Sequence, residues 1–206
     1  MPADEPSYPE GFFDRADESD DAAFYAAPRL VAHIDEATIA ALTAFYRERL
    51  TEGGRVLDLM SSWISHLPED VDYSDVAVLG MNEAELRANP RATQAVVHDL
   101  NANPVLPWPD ASFDAVLCAV SVQYLTRPHE VFAEVGRVLG PGGDAIVAMS
   151  HRCFPTKAIR AFHLLGKDER MRVVAGYFAA AGCFEPAECL DRSPAAADPL
   201  WLVVAR

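Results

Sequence analysis

Apolar residues recur along this chain in two periods. Ile39, Leu42, Phe45, Tyr46 and Leu50 return every three or four positions, which predicts a helix capped by Asp35, running through Leu50 and stopped before Gly53-Gly54. Beyond it the apolar residues form short continuous runs at 56–59, 76–79, 95–97, 113–120, 145–149 and 200–205. Such runs, rich in Val, Leu and Ile, read as strands buried on both faces. Between them lie helical patterns at 83–88, 128–139, 156–165 and 168–181. Pro128 suits the first turn of the second of these, and Gly140-Pro141-Gly142-Gly143 ends it. Met171, Val174 and Phe178 share a face of the last, with Gly182 as its stop. Three prolines make 101–112 a loop. Strands alternating with helices predict an α/β fold: a doubly wound, mostly parallel sheet with helices on both faces. The last run follows the loop 194–199 so closely that it is expected to join as an antiparallel hairpin strand.

Composition narrows this picture. At 206 residues and 50% apolar, the chain is long enough for one well-buried domain, expected over residues 28–206. The formal net charge is −14. Half of it falls within the first 23 residues, where Asp4, Glu5, Glu10, Asp14, Asp17, Glu18, Asp20 and Asp21 face a single Arg15. Residues 1–27 are therefore expected to be a solvated, mobile leader. Tyr8, Phe12, Phe13, Phe24 and Tyr25 interrupt the acids and leave open an arm that folds over a site. A surface so negative repels phosphate backbones, so no nucleic-acid partner is expected. No apolar run approaches the ~20 residues of a membrane span, and the N-terminus lacks the basic and apolar regions of a signal peptide. Those features predict a cytoplasmic protein without a membrane partner and leave its oligomeric state open. Cys118, Cys153, Cys183 and Cys189 include no CxxC pair and no zinc-ligand spacing with histidine, so no metal is expected; Cys118 reads as a core residue.

In open α/β sheets ligands bind beyond the carboxyl ends of the strands, where strand order reverses. Asp58-Leu59-Met60-Ser61-Ser62-Trp63 follows the first run, Gly80-Met81-Asn82 the second, His98-Asp99-Leu100-Asn101 the third, and Ser121-Val122-Gln123-Tyr124 the fourth. No GxGxxG, GxxxxGK[ST] or GxSxG sequence occurs at these places, which disfavours dinucleotide, P-loop and hydrolase chemistry. Two further stretches are more specific: Leu106-Pro107-Trp108-Pro109-Asp110-Ala111-Ser112-Phe113-Asp114-Ala115-Val116, then Phe132-Ala133-Glu134-Val135-Gly136-Arg137-Val138-Leu139-Gly140-Pro141-Gly142-Gly143. With the clusters after the strands they resemble the class I S-adenosylmethionine-dependent methyltransferases of the type 11 group, clearly over 53–150. Ser61-Ser62-Trp63 is similar to a subgroup carrying that turn.

The resemblance implies a Rossmann-like fold, S-adenosylmethionine as cofactor and a small-molecule acceptor. Asp58 matches the acid that orients the methionine end. Met60, Ser61 and Ser62 replace the usual glycine-rich turn, where a backbone without Cβ approaches the ligand; the serine hydroxyls offer donors instead, provided that Met60 points away. Met81 and Asn82 stand where the ribose is held, Asn82 replacing an acid. Asp99 and Leu100 match the adenine contacts, and Ala119 and Val120 the turn beside the sulfonium. As plain structure, Asp58 would be a helix cap and Ser61-Ser62 an ordinary turn.

The same resemblance places the acceptor over the fourth and fifth strands. His151 is the histidine placed directly after a strand, and with Tyr124 it is the expected catalytic pair. Gln123 and Arg152 are expected to touch the acceptor, as are Tyr25, Arg29 and His33 from the approach to the first helix. His66 and His163 read as helix-surface residues. The missing glycines and Asn82 keep a second reading open: a silent or cofactor-binding relative serving as an interaction module.

Overall fold

In the computed structural model, which describes residues 8–206, the apolar runs become strands β1 (Arg55–Leu59), β2 (Asp75–Gly80), β3 (Gln94–Val97), β4 (Phe113–Ala119), β5 (Leu139–Met149) and β7 (Trp201–Ala205), with β6 (Glu188–Asp191) added at one edge. They form one sheet in the order β3-β2-β1-β4-β5-β7-β6. Pairing is parallel from β3 through β5, and β7 runs antiparallel to both β5 and β6. The order reverses between β1 and β4, so the crevice expected to bind ligands opens beyond Leu59 and Ala119.

Helices cover both faces. α1 (Asp21–Phe24), α2 (Glu36–Arg49) and α3 (Glu83–Arg87) precede α4 (Pro128–Val138), α5 (Arg160–Leu164) and α6 (Lys167–Ala181). As expected, Asp35 caps α2 by accepting the Thr38 N–H at 2.9 Å, and Gly182 ends α6 at φ 72°. Alternation along β1 divides its side chains between two cores. Val56 joins Leu42, Phe45 and Tyr46 of α2 and Leu86 of α3, while Leu57 and Leu59 join Val131, Val135 and Val138 of α4 and Val174 and Phe178 of α6. Asp58 lies on the α2 side, among residues that water does not reach. Among the described residues no helix is long and apolar enough to cross a membrane.

Three local features depart from the periodicity. β5 starts at Leu139, six residues ahead of its apolar run, because Leu139 pairs with Phe113 before the register shifts at Asp144↔Ala115. Gly143 permits that shift, since a Cβ there would lie 2.7 Å from the Asp114 carbonyl oxygen. β6 carries only half-buried Leu190 and exposed neighbours, so it has no apolar run to reveal it. The β1–β2 connection, residues 60–74, contains no helix. Asn89 and Arg91 hold it instead, Asn89 donating to the Ser62 carbonyl and Ser65 Oγ and Arg91 to the carbonyls of Glu69 and Val71.

The acidic leader is not free of the domain over its described part. Tyr8, Phe12 and Phe13 pack against the α4–α6 core, Tyr8 and Phe13 making ring contacts with His129. Backbone bonds run from Asp17 N to Thr156 O, Arg160 N to Asp14 O and Ala161 N to Phe12 O. Interleaved aromatics supply the buried surface that acid content alone would deny, so residues 8–27 are docked where a mobile segment was expected. Residues 1–7 lie outside the described residues.

Candidate active site

Beyond the carboxyl ends of β1, β2, β3 and β4 lies a single cleft. Of the residues expected to contact the cofactor, all ten line it: Asp58, Met60, Ser61, Ser62, Met81, Asn82, Asp99, Leu100, Ala119 and Val120. Met60 takes the left-handed conformation, φ 53°, that glycine would adopt at no cost, and packs its side chain against the core beneath. Val120, at φ 53°, is the more strained of the two because its branched Cβ disfavours that region. Gly80 supplies the close backbone approach. Ser61 N–H donates to Leu79 O at 2.7 Å, and a Cβ on Gly80 would stand 2.3 Å from the Ser61 carbonyl oxygen.

Burial pushes the Asp58 carboxyl up to about 7, an effect that hydrogen bonds from Ser61 and Ser65 only partly offset. Ser61 Oγ donates to it at 2.6 Å, and its neighbours are hydroxyls rather than cations. A cationic ligand group beside Asp58 would supply the missing countercharge, which fits the ammonium of a methionine moiety. Asp99 accepts the N–H groups of Asn101 and Ala102 with Oδ1 and keeps Oδ2 for a ligand. Asn82 is placed differently from the sequence expectation. Its Oδ1 caps α3 at Glu85 N, and its amide donates to the carbonyls of Tyr25 at 2.9 Å and Ala26 at 3.1 Å. Both donors are thus spent on the chain that crosses above, leaving none for a ribose hydroxyl.

That crossing chain is a strap, residues 14–35, tied in turn to each part of the crevice. Asp21 accepts from Asn101 at 2.9 Å, the Glu85 carboxylate accepts Arg29 N–H at 2.6 Å, and Trp63 Nε1 donates to Val31 O at 3.1 Å. Glu85 also accepts from Ser62 Oγ at 2.6 Å, so strap, α3 and the serine turn share one carboxylate. Aromatic residues among the acids are the sequence signal for this arm, whereas nothing in the sequence marks Glu85 or Asp21 as its anchors.

The strap brings Tyr25, Arg29 and His33 into the cleft, facing Tyr124 and Phe154. Tyr124 and Phe154 stack at 5.8 Å, and Tyr124 Oη accepts the Phe154 N–H at 2.8 Å. Burial raises the Tyr25 hydroxyl and pushes that of Tyr124 up to about 12, so both stay protonated. Burial likewise lowers His33 and, more strongly, His66, the latter to about 4. His66 was expected on a helix surface. It is instead buried in the cleft wall, at φ 57°, with an Nδ1 that finds no partner.

Three expected acceptor residues point elsewhere. His151 Nε2 lies 3.2 Å from Asp198, and Arg152 Nε 3.0 Å from both of its oxygens. Asp198 is buried and also accepts the Asp35 N–H, so both side chains are engaged with a structural carboxylate beside α2. Gln123 is buried and gives its amide to Val120 O at 2.8 Å, bracing the strained turn rather than facing the cleft. Among the described residues no group of histidine, cysteine and acid side chains is placed to hold a metal ion, and buried Cys118 is pushed up to about 12.

Residues 52–147 match the family described as a methyltransferase domain, type 11. The chain is 25% identical over 151 residues to the ubiquinone/menaquinone biosynthesis C-methyltransferase UbiE of Geobacter sulfurreducens, covering 66% of this chain and 57% of that one. It is 34% identical over 102 residues to the 27-O-demethylrifamycin SV methyltransferase of Amycolatopsis mediterranei, covering 46% and 38%. The chain thus spans about half the length of these curated relatives. A solved S-adenosylmethionine-dependent methyltransferase from Aquifex aeolicus has the same fold, with TM-score 0.56 and 15% identity over 83% of this chain and 97% of that one. Over residues 52–147 the chain is thus similar to a type 11 methyltransferase domain, and its sheet has the fold of that solved methyltransferase.

Proposed function

We propose that the protein methylates a small-molecule acceptor, with S-adenosylmethionine bound across the carboxyl ends of β1 to β4. When bound, the cofactor supplies an electrophilic methyl group on a sulfonium, and displacement in line leaves a neutral thioether. The chain's own contribution is to place and isolate the reactants. Asp58 faces the ammonium of the methionine end, the Met60–Ser62 turn and Gly80 set its depth, and Asp99 with the Leu100 backbone receives the adenine edge. Ala119 and Val120 lie beside the sulfonium. Tyr25, Arg29, His33 and Tyr124 hold the acceptor from the opposite wall. His33, neutral because it is half-buried, takes the role of proton acceptor expected of His151, for an acceptor that must lose a proton.

The observation that carries this reading is the convergence of residues after four successive strands on one cleft that the strap covers. Titration calorimetry with S-adenosylmethionine and S-adenosylhomocysteine tests it, and heat and saturation are expected for both. No binding at millimolar concentration would overturn it. Binding without methyl-donor consumption over a broad panel of small acceptors would instead support the silent, cofactor-binding alternative.

A further inference from the structure

Resting on the methyl-transfer reading, we propose that the acceptor is a planar aromatic ring bearing an ionised oxygen, held by the Arg29 guanidinium against the rings of Tyr25, Tyr124 and Phe154. Charge bookkeeping within the cleft is the first support. The chain carries a net charge of −14, yet among the described residues Arg29 is the only lysine or arginine lining the cleft, and its guanidinium has no carboxylate partner among them. A guanidinium has five N–H donors. Those of Arg29 reach only two backbone carbonyls, Phe24 O at 2.9 Å and Ala27 O at a marginal 3.5 Å. Nearby acids are occupied: Glu85 by Ser62 and the Arg29 backbone, Asp21 by Arg15, Lys157 and Asn101.

The second support is how Arg29 is held. Its guanidinium carbon lies 4.6 Å from the centroid of Phe24, 5.3 Å from Phe154 and 5.9 Å from Tyr25. Ring faces fix the plane of a guanidinium without neutralising it, because the contact uses its flat face and leaves N–H edges for a forked acceptor. A carboxylate answers that geometry with two parallel bonds, and a phenolate with one.

The third support is the shape of the opposite wall. The stacked pair Tyr124–Phe154, with Tyr25 inclined at 68° to Phe154, presents aromatic surface where an acceptor must lie. Flat rings gain most from such walls, and the protonated Tyr25 and Tyr124 hydroxyls favour an oxygen over an ammonium. A cationic amine would meet Arg29 with no free carboxylate on this side.

The full-length protein, with and without saturating S-adenosylhomocysteine, is titrated with 4-hydroxybenzoate, its uncharged methyl ester and cyclohexanecarboxylate. The aromatic acid is expected to bind at least tenfold more tightly than either control. Arg29→Met should erase its advantage over the ester, and Arg29→Lys should restore part of it. Acid and ester binding within twofold of each other, equal binding of the cyclohexane acid, or no binding of the aromatic acid would each overturn the proposal. Failure of S-adenosylhomocysteine to bind would overturn the methyl-transfer reading instead, and the acid-to-ester ratio on the free protein still decides the ligand chemistry.

Discussion

The ammonium of Lys157 lies 3.0 Å from the carboxylate of Asp21, with the lysine side chain 0% and the aspartate 8% exposed. Lys157 also donates to Ser19 O at 2.7 Å, and Arg15 grips both Asp21 oxygens at 2.8 Å. A buried charge pair of this kind adds little beyond an apolar pair of equal size, but breaking it from one side strands a charge. Here it clips the strap to the segment after β5.

Lys157→Met is therefore expected to destabilise the protein by about 3 kcal/mol, the lower end for a broken buried pair because Arg15 remains on Asp21. Chemical denaturation would measure the loss, and hydrogen exchange should quicken first in residues 14–35. Removing residues 1–23 should cost at least as much, since it takes away both acids that face Lys157 and the packing of Tyr8, Phe12 and Phe13. A melting temperature unchanged by that deletion would show the docking to be energetically idle. The Asp21 carboxyl is held below its ordinary value by bonds from Asn101, Arg15 and Lys157 that outweigh its desolvation. Its contribution is thus present above the unfolded carboxylate range and lost as pH falls through the folded value.

Asp58 and His66 impose opposite pH slopes on stability. The Asp58 carboxyl is raised to about 7, so the folded state binds its proton more tightly and stability from this group falls as pH climbs from about 4 to 7. His66 is lowered to about 4, so the unfolded state takes up its proton first and stability rises with pH between about 4 and 6.5. Each shift corresponds to about 3–4 kcal/mol over its range, and in the parent protein the two nearly cancel. Asp58→Asn should unmask a stability that climbs with pH, and His66→Asn, a residue tolerant of the left-handed backbone, one that declines. Denaturation midpoints from pH 4 to 8 would test both; parallel slopes in the two variants would contradict the burial argument.

Gly80→Ala places a methyl group 2.3 Å from a backbone oxygen of Ser61, an atom that moves only if the whole turn moves. The expected cost is about 1–3 kcal/mol of stability, with a larger relative loss of S-adenosylhomocysteine affinity because that turn carries Ser61 and Ser62. Gly142→Ala serves as the control: it lies at the exposed start of β5 with open space at its Cβ, and its strain comes from φ 76° alone. It should cost stability without weakening cofactor binding.

Most of the sheet and its long helices were legible because burial on both faces writes itself as apolar runs, and α2 and α6 carry clear caps; β3, expected to be buried on both faces, is instead a mostly exposed edge strand. That the ten positions line one cleft was legible for a related reason: in a parallel sheet, the residue after each strand must lie at one edge. What failed had no local signature. His151 and His66 have similar sequence surroundings, a loop after a strand, but Asp198, 47 residues further along, draws the first away, and the left-handed backbone turns the second inward. The docking of the acidic leader has no local signature either, because the partners of its interleaved aromatics lie more than a hundred residues distant. Asn82 illustrates the same limit, being recruited by Tyr25 and Ala26 across the cleft.

The two carboxylates proposed to face the cofactor, Asp58 and Asp99, should respond differently to substitution. Asp99 uses Oδ1 to hold the turn at Asn101 and Ala102, and Asn101 in turn braces Asp21 and accepts the Thr126 N–H. Asp99→Ala thus removes both a ligand acceptor and the turn's anchor, whereas Asp99→Asn can keep the anchor and lose only the acceptor at Oδ2. Loss of one such hydrogen bond is worth about 1–2 kcal/mol, a weakening of roughly tenfold, and the alanine variant should be weaker still. At Asp58 the lost interaction is with a charge, so Asp58→Ala should cost on the order of 2–4 kcal/mol of affinity and Asp58→Asn should recover only part of it. Because the carboxyl titrates near 7, cofactor affinity in the parent should fall about tenfold for each pH unit below that value, with a proton released on binding. Calorimetry in buffers of different ionisation enthalpy would detect that proton. In Asp58→Asn the release and the slope should both vanish, while in Asp99→Asn both should persist. Equal pH dependence in the two variants would place the cationic end of the ligand away from Asp58, and with it the whole orientation of the cofactor in the cleft.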